Sequence, residues 1–159
     1  MNLSVESQQA CIAEVPLQKK LEQWIKITLE AVHHQQHCGL TIRFVEAQES
    51  QQLNLDYRQK DKSTNVLSFP FEPPKGLDDV EINNYLGDLV ICAEVVITEA
   101  NQQNKSLEAH WAHMCVHGCL HLLGFDHITT EDAASMEQLE IDILSKLSMP
   151  NPYIETVKD

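Results

Sequence analysis

The chain has 159 residues, 24 acidic and 11 basic, for a formal net charge of −13 with neutral histidines. That length suits one domain over 1–159, large enough to fold on an apolar core without a disulfide or metal staple, and the 43% hydrophobic and 22% charged fractions exclude a disordered or fibrous chain. The acidic excess also speaks against a nucleic-acid ligand, whose phosphates favour a basic surface.

Leu3 and Val5 alternate with polar residues and predict a short first strand. After Pro16, the apolar residues Leu21, Trp24, Ile25, Leu29 and Val32 recur at helical spacing, and Gly39 is expected to end that helix. Leu40 to Val45 alternates as a second strand with Ile42 and Phe44 on one face, and Ser50 is a candidate cap for a short helix through Leu53 and Tyr57. Val66 to Phe71 reads as a strand that Pro70 confines to a sheet edge. Residues 72–84, with Pro73, Pro74 and Gly76, are expected to form an exposed loop. Leu86 to Cys92 is apolar enough for a central strand. Helices follow over about 94–103 and 106–123, the second opening at Ser106 and stopping at Gly124. Thr129 or Thr130 starts a last helix carrying Met136, Leu139, Ile143, Leu144 and Leu147. The resulting fold class is α+β: a small mixed sheet of about four strands packed with about five helices.

No stretch approaches the roughly 18 apolar residues of a membrane span. Met1 to Pro16 has neither the basic start nor the apolar run of a secretory leader, so a cytoplasmic location without a membrane partner is expected. Cys11, Cys38, Cys92, Cys115 and Cys119 form no CxxC pair, and their odd number argues for free thiols in a reducing compartment.

The chemistry concentrates in residues 117–127, His-Gly-Cys-Leu-His-Leu-Leu-Gly-Phe-Asp-His. His117 and His121 are four apart, so a helix stacks both imidazoles on one face within reach of a common metal ion. Gly124 lets the chain leave the helix in a left-handed conformation, and the turn can return His127 as a third ligand. Three histidines leave one position of a tetrahedral zinc open, as a catalytic site requires; nickel, copper and cobalt are also compatible. Cys115 and Cys119 are offset by two residues from the histidines, on the opposite helix face, and are expected in the core. His113, one turn before His117, is expected to line the groove or to contact a ligand from outside, with His110 continuing the stripe upstream. The spacing also overlaps the protease pattern HExxHxxGxxH, but Gly118 stands where that pattern has its glutamate base, which disables peptide hydrolysis by that route.

The run with Gly118, Leu120, His121, Leu122, Gly124, Asp126 and His127 resembles the HGxLHLxGxDH signature of the YbeY family. The stretch from Tyr57 and Arg58 through Lys60, Asp61, Thr64, Val66, Leu67, Ser68, Phe69 and Pro70 is similar to that family's YRxKDxxTxVLSFP block. Leu86-Gly87-Asp88-Leu89-Val90-Ile91 is similar to its LGDIxI strand. Asn65 and Ala93 depart from the common aspartate and proline without touching a proposed ligand. The resemblance implies a single-domain, metal-dependent endoribonuclease acting in ribosomal RNA maturation and ribosome quality control. It implies one zinc ion on His117, His121 and His127, and Arg58 as a catalytic residue beside His117, gripping a phosphate bidentately. The implied partners are single-stranded and ribosomal RNA and the ribosome or its proteins, with no DNA expected. No general base is named; Asp126, next to a ligand, and Asp88, by similarity, are candidates. The alternatives are a metzincin-like zinc metalloprotease with its base elsewhere, and a ribosome-docking module whose metal is structural.

Charge by segment favours the RNA reading. Residues 53–76 carry Arg58, Lys60, Lys62 and Lys75 against Asp56, Asp61 and Glu72, a net of +1, whereas residues 77–159 carry three basic and fifteen acidic side chains, a net of −12.

Overall fold

The structure is a computed structural model that describes residues 2–73, 76 and 84–154. Among these, four strands and five helices follow in the order β1 Leu3–Ala10, α1 Gln18–Ala31, β2 Cys38–Val45, α2 Ala47–Arg58, β3 Val66–Pro70, β4 Tyr85–Cys92, α3 Ala93–Gln102, α4 Leu107–Leu122 and α5 Thr130–Lys146. The sheet runs β1-β2-β4-β3. β1 pairs with β2 and β2 with β4 in parallel, and β3 lies antiparallel to β4. This is the expected α+β fold with a mixed four-stranded sheet.

Two-residue periodicity in the central strands sorts the core. Leu40, Ile42 and Phe44 of β2 and Leu89 and Ile91 of β4 enter the main cluster with Leu21, Trp24 and Ile25 of α1 and Trp111, Cys115 and Cys119 of α4. Trp111 meets Phe44 edge to face, with ring centroids 5.4 Å apart. The alternate residues Val45, Val90 and Cys92 join Leu67 in a smaller cluster on the other face, against Ala47 and Leu53 of α2. Fully burying one such large apolar side chain contributes roughly 1.5–3 kcal/mol, so α4 is fixed firmly on the sheet. No helix among the described residues is long and apolar enough to cross a membrane.

Two boundaries differ from the sequence reading. Gly39 does not end α1 but lies inside β2. The helix stops eight residues earlier, because His33 adopts a left-handed φ of 58° and the His34 amide reaches back to the Leu29 carbonyl at 2.9 Å. Ser50 does not cap α2, whose N-cap is Glu46. From inside the helix its hydroxyl holds the backbone of Thr64, accepting from the amide at 3.0 Å and donating to the carbonyl at 3.1 Å. Most of the expected loop over 72–84 lies outside the described residues.

Candidate metal centre and cleft

Helix α4 opens as its sequence predicts, with the Ser106 hydroxyl accepting from the Ala109 amide at 3.1 Å. Its other end explains how a third histidine returns. Leu123 closes the helix, Gly124 takes φ +99°, and the Phe125 amide bonds the Leu120 carbonyl at 3.0 Å. That six-to-one bond around a left-handed glycine reverses the chain. Asp126 then accepts the Ile128 amide at 3.3 Å, bracing the loop that carries His127.

One nitrogen from each of His117, His121 and His127 lies within 4.8 Å of the others. His117 Nε2 faces His121 Nε2 at 3.1 Å, and the His127 ring centroid is 5.0 Å from that of His121. Ligand nitrogens about 2.0–2.1 Å from a tetrahedral zinc sit about 3.4 Å apart, so the observed spacing and the all-imidazole donor set fit such an ion. Burial above all, then the neighbouring His117 and His127, holds His121 below the usual histidine range, favouring the neutral ring a metal requires.

The helix's other face is inert. Cys115 and Cys119 are fully buried, and burial pushes the Cys115 thiol up to about 12. All five cysteines are free. A Cβ at Gly118 would stand 2.8 Å from Leu89 Cδ2, so the residue in the protease base position points into the sheet.

Facing the histidines across a cleft of about 560 Å³ are Arg58, Lys60 and Lys62. They are presented by the end of α2 and the turn after it. Gln59 is left-handed, with φ 55°, and the buried Asn54 donates to the Lys62 carbonyl at 2.8 Å. With Ser50 on Thr64, this pins the turn to the helix, while the three cationic side chains stay exposed. Asp126 is the one acidic residue lining the cleft among the described residues. The structure thus gathers Arg58 and the three histidines at one opening.

Asp88 is not among them. Leu89 faces α4, so Asp88, one residue earlier on β4, faces the other side of the sheet, where it accepts from the Tyr85 hydroxyl at 2.5 Å.

Sequence reasoning missed Glu140. Its fully buried carboxylate on α5 meets His117 Nδ1 and lies 3.1 Å from His113 Nε2. Burial alone would raise it, but the hydrogen bonds from His113 and His117 prevail and hold it down at about 2. His113 itself is lowered, chiefly by burial. His113 therefore sits behind the centre, and His110 further back, 2.9 Å from Glu99.

A profile of the Endoribonuclease YbeY family matches residues 2–148. The chain belongs to this family. A curated relative, Endoribonuclease YbeY of Colwellia psychrerythraea, is 51% identical over 154 residues, covering 95% of this chain and 97% of its own. The fold is also similar to the solution structure of a Thermotoga maritima protein, with a TM-score of 0.57 and 22% identity over 99% of each chain. Membership fixes an RNA-cleaving family.

Proposed function

We propose that the protein is a metal-dependent endoribonuclease that cuts single-stranded RNA, acting in ribosomal RNA maturation and ribosome quality control in the cytoplasm. The observation that carries this reading is that one cleft holds a three-histidine group on one wall and Arg58, Lys60 and Lys62 on the other. His117, His121 and His127 would hold one zinc ion, which supplies Lewis acidity toward a phosphoryl oxygen and toward water. Arg58 offers a planar fork that takes two oxygens of the scissile phosphate and stabilises the charge that develops there. Lys60 and Lys62 continue that cationic edge and hold flanking phosphates as point charges. A single strand fits because its phosphates and 2′-hydroxyls can bend into a cleft that a stiff duplex cannot enter.

The two alternatives have less support. A metzincin-like protease needs a base beside the metal, but Gly118 offers no side chain and Glu140 is engaged behind His117. A structural metal needs a fourth protein ligand, yet among the described residues only three donors gather there, and His113 is bound to Glu140.

The test is one purified sample with its metal content measured. It is given single-stranded RNA or peptide, with and without chelator, beside Arg58→Ala and His117→Ala. The expected result is RNA cleavage that stops with chelator, returns with zinc, and falls about 100-fold or more in kcat/KM for Arg58→Ala. Peptide cleavage without RNA cleavage would overturn the reading, and undiminished cleavage by both variants would identify a contaminating nuclease.

A further inference from the structure

The Glu140 carboxylate is wholly buried between α4, α5 and the segment after α5, with no Lys or Arg partner among the described residues. Its Oε1 meets His117 Nδ1, and its Oε2 is shared by His113 Nε2 at 3.1 Å and the Tyr153 hydroxyl. A buried carboxylate is expensive unless its lone pairs are satisfied, and here three donors converge on it, two from α4 and one from the segment after α5. Tyr153 is anchored in turn. Its amide donates to Asn151 Oδ1 at 2.8 Å, Lys105 Nζ donates to the adjoining Pro152 carbonyl at 2.6 Å, and its ring stands edge-on to His113 with centroids 5.5 Å apart.

What this does to His117 follows from imidazole chemistry. A neutral ring carries one proton, and a carboxylate at Nδ1 keeps it there, leaving the lone pair on Nε2. That nitrogen is the one that faces His121. We propose that Glu140, clamped by Tyr153, is the positioning residue of the three-histidine centre, holding His117 in the Nδ1–H form with its Nε2 lone pair aimed at the point shared with His121 and His127. The segment after α5 thereby becomes part of the centre without touching substrate. The consequence for metal affinity rests on the metal-binding reading above, whereas the tautomer belongs to the metal-free chain. His113, His117 and Glu140 also bring three donor atoms within 4.8 Å of one another. A cation there would displace the protons of both rings and the tyrosine hydroxyl together, so the proposal assigns that group to protons.

The experiment uses the metal-free full chain with 15N-labelled histidines, and long-range proton–nitrogen spectra to read the His117 tautomer. The wild type is expected to show Nδ1–H, and Glu140→Gln a mixture or the Nε2–H form. An Nε2–H ring in the wild type, or no change in the variant, overturns the proposal. Zinc binding is then measured by competition with a chromogenic chelator. Glu140→Gln is expected to weaken it about 10–100-fold, and Tyr153→Phe, which keeps the ring and loses only the hydroxyl, by a smaller factor. Should Glu140→Gln fail to fold, Tyr153→Phe carries the test, and unchanged spectra and affinity in it refute the clamp. Two zinc ions per wild-type chain, both weakened by Glu140→Gln, would make the carboxylate a ligand and overturn the proposal. A wild type that binds no zinc would refute the metal reading, while the tautomer spectra would still decide the role of Glu140.

Discussion

Replacing Gly118 with glutamate restores the protease pattern on paper, and the packing around that position forecasts the outcome. A Cβ there would lie 2.8 and 3.1 Å from the two methyls of Leu89 and 3.3 Å from Val66 Cγ2. Leu89 is fully buried in the strand beneath α4, so its methyls have little room to turn away. In an exposed helix, glycine to alanine gains about 1 kcal/mol, but forcing a methyl into a packed core costs about 1–3 kcal/mol. Gly118→Ala should therefore be neutral to destabilised by about 2 kcal/mol. Gly118→Glu adds one more methylene and a carboxylate in an apolar seam, and an unpaired buried charge costs several kcal/mol further. The total, about 4–6 kcal/mol, approaches the 5–15 kcal/mol stability typical of a domain. Urea unfolding of the metal-free variants, with a peptide assay of the zinc-loaded ones, provides the check. The reasoning fails if Gly118→Glu folds at wild-type stability and gains chelator-sensitive peptidase activity, or if Gly118→Ala is about 1 kcal/mol more stable than the parent.

Gly87 has φ +138°, and a Cβ there would stand 2.2 Å from the Phe69 carbonyl oxygen; Gly87→Ala should cost about 3 kcal/mol or more. Gly124→Ala, at φ +99° with nothing within 4 Å, should cost about 1–2 kcal/mol, and equal losses of thermal stability in the two would refute the contrast. Acid should destabilise the metal-free protein in two stages. His113 and His121 lie below their unfolded value of 6.5, so their contribution is complete above it and is lost as pH falls through their folded values. Glu140, held at about 2 against 4.5 unfolded, adds stability that is complete above 4.5 and disappears as pH falls toward 2. A urea midpoint that stays flat from pH 7 to about 4 would contradict this, and Glu140→Gln should remove the lower stage. With Arg58, Lys60 and Lys62 as the phosphate contacts, binding of single-stranded RNA by the inactive His117→Ala should fall with salt at a log–log slope near −2, from about −0.7 per contact; a slope steeper than about −5, by fluorescence anisotropy, would mean a much larger RNA surface.

The site was legible wherever one local element carries it. His117, His121, Gly124 and His127 occupy a single helix and its terminal turn, so helical spacing and one left-handed glycine suffice to bring them together. Arg58 could be placed at the cleft only by resemblance, because the buried bonds of Ser50 and Asn54 that fold its turn toward α4 link separate parts of the sequence. Glu140 had a signal that went unread. It falls four residues after Met136 and four before Leu144, on the buried stripe of α5, where a carboxylate must have partners. Asp88 had one too, since strand alternation puts it on the opposite face from Leu89. The end of α1 had none: a histidine took the left-handed position that glycine usually fills.

The net charge of −13 takes on its meaning only in three dimensions. Of the cations elsewhere, Arg43 pairs with Glu49 at 2.7 and 2.9 Å, Lys20 pairs with Glu108, and Lys105 donates to the Pro152 carbonyl. Arg58, Lys60 and Lys62 are exposed, enter no ion pair among the described residues, and face the histidines across a cleft with Asp126 as its single acid. Under the proposed function, the acidic excess that weakens general affinity for a polyanion is offset at this cleft, whose described lining holds three cations and one acid. Three cations hold a short length of RNA only loosely. Under the proposed role in ribosomal RNA maturation, the remaining affinity has to come from the particle that presents the strand, and the acidic exterior then limits cleavage of RNA that is not so presented.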